Sequence, residues 1–438
     1  MRRFHLIGVS PDLSRTLAIQ TSAGWLLPWM DDNPRVGLPA QVHAILSPMV
    51  STLYILHEAP LQDARSTNQI LQGYCAVLAS GTILSKHVQF VANIDLLVMP
   101  SVLSLQREGW LLALQRLRAP VADFDCRARV AAALAWAECQ VRSHTGADVL
   151  SMARHRCSRH EYVVRLETTK GRMYFKGGRE RVADEGVLTH QVHGLHPSVV
   201  PETVALDLAA GRWIYRELPG STLVGSTLTM STALSVVPVL VELQKRAAQS
   251  SAVRQHLSTR CLSAVDLIEL TDRIVRSEQI NEGWPSSLYT LVERCLAIDG
   301  LNLPSGLVLS DLWAHNILIT PTGVGFIDLE RSYWTLPFLS LWRFIQDVEG
   351  ALQTGGVART RIEAAFVSAW ADVVNPRDMT TALNELPLLG RLFDLLLASR
   401  ELDLRERDLG SPLPTGARAT VLSRHVRRLL ESALDARP

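Results

Sequence analysis

The sequence predicts an α+β fold, in which a small strand-rich region is followed by a mainly helical one. Residues 161–167 and 172–178 are apolar, alternating stretches around a Thr-Thr-Lys-Gly turn, which is typical of an antiparallel hairpin. From residue 229 onward, apolar residues recur at helical spacing over most of the chain. A second apolar hairpin, residues 317–327, interrupts the helical region and has polar residues at both ends.

Seven helices are predicted from the apolar spacing after the first hairpin. They are Thr229 to Ala248, Val265 to Ser277, Ser287 to Ile298, Leu339 to Leu352, Arg359 to Val374, Thr380 to Leu402 and Ala417 to Ala436. An eighth is predicted directly after the first hairpin, from Arg179 to Leu195.

Length and composition limit the classes of protein that fit. A chain of 438 residues is long enough for two or three domains, since single cores stop growing near about 250–300 residues. The net charge of +1 gives no argument for nucleic acid or an anionic membrane as the main partner. Apolar stretches end before about 18 residues, and six scattered cysteines show no zinc-site spacing. We expect a cytoplasmic protein with reduced cysteines.

Residues 1–145 precede the hairpins and are long enough for a separate α/β accessory domain. Three short strands are predicted at Phe4 to Val9, Thr16 to Gln20 and Gly24 to Trp29, and a helix from Cys126 to Val141. The strand order faintly resembles the opening of Nudix domains, but no Arg-Glu-x-x-Glu-Glu helix follows Asp31 and Asp32. The domain is therefore either degenerate and Nudix-like or an unrelated extension. It would serve substrate recognition or dimerisation, the latter giving a homodimer.

Lys176 ends the second strand of the first hairpin. Lys is found at only four positions, whereas Lys and Arg total 44, so each Lys is informative. In kinase-type phosphoryl transfer, a strand Lys binds the α- and β-phosphates of the nucleotide, and a Glu from the next helix orients it. The predicted helix carries Glu180 and Glu185. The alternative is a Lys that reaches past apolar neighbours to solvent.

The second hairpin carries the most specific pattern in the chain. Asp311 and Asn316 stand five residues apart before its first strand, and Asp328 follows its second strand. Phosphoryl transfer needs this set, with one Asp to accept the proton of a hydroxyl and an Asn and an Asp to hold Mg²⁺ on the nucleotide. The alternative is a surface hairpin with incidental polar residues.

Residues 309–330 resemble the catalytic stretch of the aminoglycoside phosphotransferase and choline kinase group, which reads His-Gly-Asp-Leu-His-Pro-Gly-Asn and then Ile-Asp-Trp-Glu. Asp311, Asn316, Asp328 and Glu330 match this pattern. Leu309-Ser310 replaces His-Gly, and residues 313–315, Trp-Ala-His, replace His-Pro-Gly. The resemblance implies a bilobal protein-kinase-like fold, with residues 146–222 as the amino-terminal lobe and 223–438 as the helical carboxy-terminal lobe.

The resemblance also implies roles outside this stretch. Glu185 fits the family's Glu-x-x-x-Leu pattern and would orient Lys176, and Glu217 and Leu218 would offer backbone groups to the adenine edge. Ser158 lies in the segment that would cover the phosphates, although that segment contains no glycine. Ser340 stands where the family has an Asp that braces the catalytic loop, and is expected to cap a helix. Asp347 and Glu349 would line the acceptor site or face water.

The sequence thus predicts a kinase that transfers phosphate from ATP, or GTP, with Mg²⁺ to a hydroxyl group. Asp311 would be the base, Asn316 and Asp328 the metal ligands, and Glu330 an aid to the metal or acceptor. The acceptor would be a small molecule, such as an antibiotic, sugar, nucleoside or natural-product intermediate. Two alternatives stay open: a kinase for Ser or Thr of a peptide precursor, and a catalytically silent kinase-like binding protein.

Overall fold

The computed structural model describes the backbone of residues 2–9, 15–21, 24–26, 29–31, 50–60, 71–83, 88–92, 127–157, 161–178, 180–280, 284–409 and 416–435. The chain forms two compact units. The first contains Met1–Ala183 and Thr203–Glu217, and the second contains Asp184–Glu202 and Leu218–Pro438. The catalytic hairpin predicted from the sequence lies in the second unit, whereas Lys176 lies in the first.

The first unit is built around one sheet. Its strands are Arg2–Val9 (β1), Arg15–Thr21 (β2), Gly24–Leu26 (β3), Trp29–Asp31 (β4), Val50–Pro60 (β5), Leu71–Ile83 (β6), Val88–Ala92 (β7), Val149–Cys157 (β8), Glu161–Thr168 (β9), Gly171–Gly178 (β10), Thr203–Asp207 (β11) and Arg212–Arg216 (β12). The described part of this unit also contains the helix Arg127–Thr145 (α1). The strand order is β11-β12-β10-β9-β8-β5-β6-β1-β2-β3, with β4 beside β1 and β7 beside β2.

Strands β8 to β12 pair in antiparallel fashion, as predicted for the small sheet. The register of β9 and β10 places Leu166 opposite Met173 and Val164 opposite Phe175. All four side chains are buried in one cluster, which α1 covers with apolar residues such as Val141. The alternation predicted from the sequence therefore gives a sheet with one face on a hydrophobic core.

The amino-terminal strands extend the same sheet, because β5 pairs in parallel with β8. Strands β1 and β2 lie where the sequence predicted them, but the predicted strand Gly24 to Trp29 is two strands with different partners. Strand β3 pairs with β2, and β4 pairs with β1. Pro28 separates the two in sequence, and proline has no N–H to continue a strand ladder. Asp32 and Cys126 lie outside the described residues, and the separate domain with its Nudix-like character stays a prediction.

The second unit is mainly helical. Its helices are Glu180–Leu195 (α2, which belongs to this unit from Asp184), Met230–Ala248 (α3), Ser251–His256 (α4), Ala264–Ser277 (α5), Trp284–Asp299 (α6), Leu341–Leu352 (α7), Val357–Trp370 (α8), Pro376–Asn384 (α9), Leu386–Leu409 (α10) and Ala417–Asp435 (α11). Two starts are fixed by capping boxes, Thr229 with Thr232 before α3 and Ser263 with Asp266 before α5.

One helix prediction is wrong. The pattern from Thr380 to Leu402 predicted a single helix, but α9 ends at Asn384 and α10 begins at Leu386. Pro387 explains the break, because its ring would clash with the carbonyl of Leu383 in a continuous helix. Proline is well tolerated in the first turn of a new helix, where its missing N–H has no partner to lose.

Two small sheets sit among these helices. One joins Ser221–Thr222 (β13), Ile317–Thr320 (β15) and Gly323–Phe326 (β16), and the other joins Gly306–Leu309 (β14) and Ser332–Thr335 (β17). Both rest on one large cluster of buried apolar side chains, in which Phe338, Phe344 and Phe366 are fully buried. An antiparallel sheet and a helical region are thus both present, which confirms the predicted α+β class. Within the described ranges, none of the helices is both long enough and apolar enough to cross a bilayer.

Candidate active site

Asp311 lies in a tight loop between β14 and β15. The four residues of β14 are buried, which fixes the point from which the loop leaves the core. The backbone N–H of Trp313 donates to the carbonyl of Asp311 at 2.8 Å, and the N–H of Asn316 donates to the carbonyl of Trp313 at 2.9 Å. These bonds fold the loop into a short 3₁₀ turn over Ala314–Asn316. The Asp311 side chain stays 18% exposed, so a substrate can reach it.

Asn316 and Asp328 lie at the same end of the second hairpin. Strands β15 and β16 pair Ile317 with Phe326, and the N–H of Ile327 donates to the carbonyl of Asn316 at 3.0 Å. The Asn316 amide nitrogen donates to the carbonyl of Asp311 at 2.9 Å. Because the amide nitrogen is the atom used in this bond, the amide oxygen of Asn316 is left to bind a metal ion. The hairpin therefore brings together two of the predicted metal ligands and the loop of the predicted base.

Asp328 has a left-handed backbone conformation. Its φ and ψ are 63° and 60°, a region that is uncommon for non-glycine residues, although Asp tolerates it better than most, and residues in it cluster at functional sites. A carboxylate oxygen of Asp328 and those of Glu185 and Glu330 lie within 4.8 Å of one another. Glu185 is 3% exposed. Three carboxylates at this separation repel each other unless a cation lies among them.

Two serines fix the strand and loop that carry Asp311. The Ser310 hydroxyl donates to the carbonyl of Arg331, which ties the loop to the turn after Asp328. The Ser340 hydroxyl accepts from the N–H of Leu309 and from the Gln244 amide, each at 3.1 Å. The prediction that Ser340 caps a helix through its side chain is wrong, because no such bond forms at the start of α7. Its hydroxyl instead braces the strand that precedes the catalytic loop.

Asp347 holds the catalytic loop. Its carboxylate accepts from the backbone N–H of Ala314 at 2.8 Å, so it does not simply face water, and its place in an acceptor site stays a prediction. Glu349, two residues further along α7, accepts from the N–H of Arg359 at 3.3 Å and so joins α7 to the first turn of α8. Asp347 on α7 thus holds the catalytic loop in addition to the two serines.

Arg260 links helix α2 to the turn after Asp328. Its guanidinium donates to the carboxylate of Asp184 at 2.7 Å and to the carbonyl of Glu330 at 3.2 Å. Asp184 immediately precedes Glu185. Arg260 therefore links the neighbour of Glu185 to the backbone of Glu330. Glu185 and Glu330 are two of the three residues whose carboxylates cluster.

Arg343 contacts the predicted base, and no pattern in the sequence indicated it. Its Nη1 lies 3.6 Å from Oδ1 of Asp311, and its guanidinium lies over the Trp313 ring at 4.9 Å from the ring centre. The Trp313 indole N–H donates to the same Asp311 oxygen at 2.9 Å. Trp313 was visible as a departure from the family pattern. Arg343 lies on α7, and only the folded chain brings it to the loop.

Arg331 is surrounded by acidic groups of the site. Burial alone would lower its pKa, but the carboxylates of Asp311 and Glu330 outweigh that effect and raise the pKa of the guanidinium. Arg331 also donates to Glu401 on α10 at 3.0 Å. A permanent positive charge thus lies close to the predicted base and to one of the clustered carboxylates.

In the first unit, Lys176 lies on β10 and is 4% exposed. It pairs with Val163 on β9 and Trp213 on β12. Burial excludes the alternative in which the side chain reaches solvent, since an ammonium in bulk water would be exposed. Next to it, a Cβ on Gly177 would lie 2.1 Å from the Tyr162 ring, so any other residue there would displace that ring.

The structure gives partial information on the other nucleotide-contact predictions. The N–H of Glu217 donates to the carbonyl of Arg172 at 3.0 Å, while its carboxylate accepts from Arg172 at 2.8 Å and Tyr174 at 3.3 Å. In the second unit, the Leu218 side chain packs against Gly325, where a Cβ would lie 2.3 Å from it. The adenine contacts of Glu217 and Leu218 stay predictions. Ser158 lies outside the described residues.

Comparison with known proteins assigns the chain to a class. Residues 146–373, slightly more than half of its 438, match the phosphotransferase enzyme family. The chain belongs to this family. It is therefore an enzyme, a phosphotransferase with an alcohol group as acceptor, and the predicted resemblance is confirmed. No curated protein sequence matches the chain significantly.

Several solved structures are similar to the chain. Choline kinase LicA from Streptococcus pneumoniae is 14% identical, with 68% of this chain and 98% of that chain covered at a TM-score of 0.47. A choline/ethanolamine kinase family protein from Mesorhizobium loti is 15% identical, with 70% and 96% covered at a TM-score of 0.48. An aminoglycoside phosphotransferase, APH(2"), in complex with GDP and kanamycin is 14% identical, with 69% and 100% covered at a TM-score of 0.44.

Proposed function

We propose that the chain is an ATP- or GTP-dependent, Mg²⁺-dependent kinase for a hydroxyl group of a small molecule. One observation carries the proposal: a single hairpin holds Asn316 and Asp328 at one end, with Asp311 in the loop that enters it. This is the set that in-line phosphoryl transfer requires, namely a group to accept the hydroxyl proton and groups to hold the nucleotide's metal.

The residues present fit Mg²⁺. This ion prefers oxygen ligands in octahedral geometry and usually keeps several waters, so one or two carboxylates and an amide oxygen are sufficient. Asp328 and Asn316 would hold it, and Glu330 and Glu185 lie close enough to Asp328 to hold its waters or a second ion. Bound Mg²⁺ would neutralise the phosphates and the developing charge on the leaving group.

The chain's own groups account for the remaining steps. Asp311 would orient the acceptor hydroxyl and accept its proton, which typically accelerates a reaction by about 10²–10⁴-fold. Lys176 would bind the α- and β-phosphates. Glu185, Glu217, Leu218 and Ser158 keep the roles predicted from the sequence.

The acceptor is proposed to be a small hydroxylated molecule without several positive charges. A site for polycationic aminoglycosides would present many carboxylates to the ligand. Here the guanidiniums of Arg331 and Arg343 flank Asp311, and the carboxylates of Asp394 and Glu401 already form ion pairs with them. A sugar, nucleoside or natural-product intermediate fits better than an aminoglycoside. The cytoplasmic location and the homodimer stay predictions.

Two substitutions test this function. Asp311→Asn should lower kcat by about 10²–10⁴-fold while the Kd for MgATP stays unchanged. Asp328→Asn should remove Mg²⁺-dependent nucleotide binding as well. Phosphate transfer from labelled ATP or GTP would be measured with and without Mg²⁺ against hydroxylated metabolites and Ser- or Thr-containing peptides. Asp378→Asn on α9 is the control.

Two results would contradict the proposal. Tight MgATP binding by the Asp328→Asn variant would remove Asp328 from the metal site. Nucleotide binding by the unmodified protein without transfer to any acceptor would favour the catalytically silent alternative, and transfer to peptides alone would favour the peptide kinase.

A further inference from the structure

The two carboxylate oxygens of Asp311 have different surroundings. Oδ1 accepts the Trp313 indole N–H at 2.9 Å and faces Nη1 of Arg343 at 3.6 Å. Within the part of the chain that the structure describes, Oδ2 accepts no hydrogen bond from the protein. The protein therefore holds Oδ1 of this carboxylate and leaves Oδ2 for a substrate.

Arg343 is itself fixed from its other side. Its Nη2 donates to Oδ1 of Asp394 on α10 at 3.0 Å, and Oδ2 of Asp394 accepts the Trp342 indole N–H at 2.8 Å. Both Arg343 and Asp394 are largely buried, with side chains 19% and 13% exposed. A planar guanidinium held by a carboxylate and stacked on an indole has little rotational freedom. Arg343 can therefore hold the Trp313 ring at a defined angle.

We propose that Arg343 is a positioning residue for the proposed phosphotransfer: through the Trp313 indole it occupies Oδ1 of Asp311 and so makes Oδ2 the proton-accepting oxygen. As the acceptor hydroxyl oxygen forms its bond to the terminal phosphorus, its proton passes to Oδ2. The bond between that phosphorus and the bridging oxygen breaks, and its electron pair leaves with the nucleoside diphosphate. The proposal rests on the proposed function, and it accounts for an indole at position 313, where related phosphotransferases have His.

A spectroscopic experiment tests the geometry without any substrate. The full chain is labelled with ¹⁵N at the tryptophan indoles, and the Trp313 resonance is assigned by its loss in Trp313→Phe. In the unmodified protein this N–H should exchange slowly with solvent, and exchange should become at least about tenfold faster in Asp311→Asn and in Arg343→Met. An exchange rate that neither substitution changes would overturn the proposal.

A kinetic experiment tests whether this positioning of Asp311 speeds phosphate transfer. Phosphate release from MgATP is measured without an alcohol, so that water is the acceptor. Arg343→Met and Trp313→Phe should each lower kcat about 10- to 100-fold, as expected for a hydrogen bond to a charged group, with KM for MgATP changed less than about twofold. Arg343→Lys should restore only part of the rate, because an ammonium lacks the planar fork.

Lys245→Met is the matched control. The Lys245 ammonium also lies over an indole, that of Trp370 at 5.7 Å, so its loss removes a cation–indole pair without touching Asp311, Trp313, Arg343 or Asp394. Equal kcat in Arg343→Met, Trp313→Phe and the unmodified enzyme would refute the positioning role. Failure of the proposed function would look different, since the unmodified protein itself would then release no phosphate from MgATP.

Discussion

At the scale of the residue, Ser340 shows how a hydroxyl can take the place of a carboxylate. It stands where related phosphotransferases have an Asp that braces the catalytic loop, and it binds the backbone N–H of Leu309 and the Gln244 amide. Gln244 is fully buried and also donates to the carbonyl of Leu307 at 3.0 Å. A neutral hydroxyl fits this buried position, whereas a carboxylate there would need a charged partner.

Ser340→Ala should destabilise the protein and slow transfer. It leaves the buried Leu309 N–H without its acceptor, which costs about 1–3 kcal/mol, whereas the Gln244 amide keeps the carbonyls of Leu307 and Pro337. Thermal unfolding and kcat would be measured together, with Ser368→Ala on the exposed side of α8 as the control. The control should lie within about 0.5 kcal/mol of the unmodified protein. An unchanged Tm for Ser340→Ala would show that the hydroxyl is not a brace.

The sequence predicted the polar groups of the candidate site but not the residues that support them. Asp311, Asn316 and Asp328 were identified because they are close in sequence and separated by apolar, hairpin-forming residues. The bond from Leu309 to Ser340 spans 31 positions and the bond from Ala314 to Asp347 spans 33. Such pairs depend on how α7 packs against the loop, which no local pattern contains.

At the scale of the element, α7 and α10 approach each other closely at Gly390. A Cβ at this position would lie 2.3 to 2.7 Å from three atoms of the Trp342 ring. The ring cannot move easily, because its N–H is bound by Asp394 and Arg391 lies over its face. Glycine on α10 is therefore a packing requirement rather than a source of flexibility.

Gly390→Ala should destabilise the protein by about 1–3 kcal/mol, as overpacking of a core usually does. Gly350→Ala on α7 is the matched control, since a Cβ there meets nothing within 4 Å. It should be neutral or stabilise by about 0.5–1 kcal/mol, because alanine is the better helix former. Urea denaturation of both variants would measure the difference. Equal free energies of unfolding would show that the helices can separate at little cost.

Helix ends were the least predictable part of the elements. Periodicity located the longer helices of the second unit, because each buries an apolar face, but it did not indicate the six-residue α4. It missed the break before α10, since the apolar spacing continues past Pro387 while proline's backbone does not allow one helix. Local backbone chemistry overrides the pattern at this point.

At the scale of the whole molecule, burial decides which cysteines react. Burial, reinforced by Asp299 and Glu385, raises the pKa of the Cys295 thiol to about 12, so almost no thiolate forms near neutral pH. Cys139 and Cys261 are exposed free thiols. In the native protein, iodoacetamide should modify Cys139 and Cys261 at least about tenfold faster than Cys295. Peptide mass spectrometry would give each rate, with labelling in urea as the control in which all three react.

Half-buried histidines make the stability of the molecule depend on pH. Burial lowers the pKa of His196, His256 and His425 from the ordinary value of 6.5. Around His425, Asp394 raises the pKa while Arg428, Arg343 and Arg391 lower it further. The folded state therefore disfavours the imidazolium form of all three residues.

The sign of the effect follows from proton uptake. Above the ordinary value of 6.5 the imidazoles are neutral in both states and contribute nothing. As pH falls through 6.5 toward the lowered pKa values, the unfolded chain binds more protons than the folded one, so the free energy of unfolding decreases. The Tm should therefore fall by roughly 2–4 °C for each kcal/mol lost between about pH 7 and pH 5. His425→Gln should reduce this slope without removing it, because His196 and His256 remain. A slope that the substitution leaves unchanged would mean that His425 titrates equally in both states.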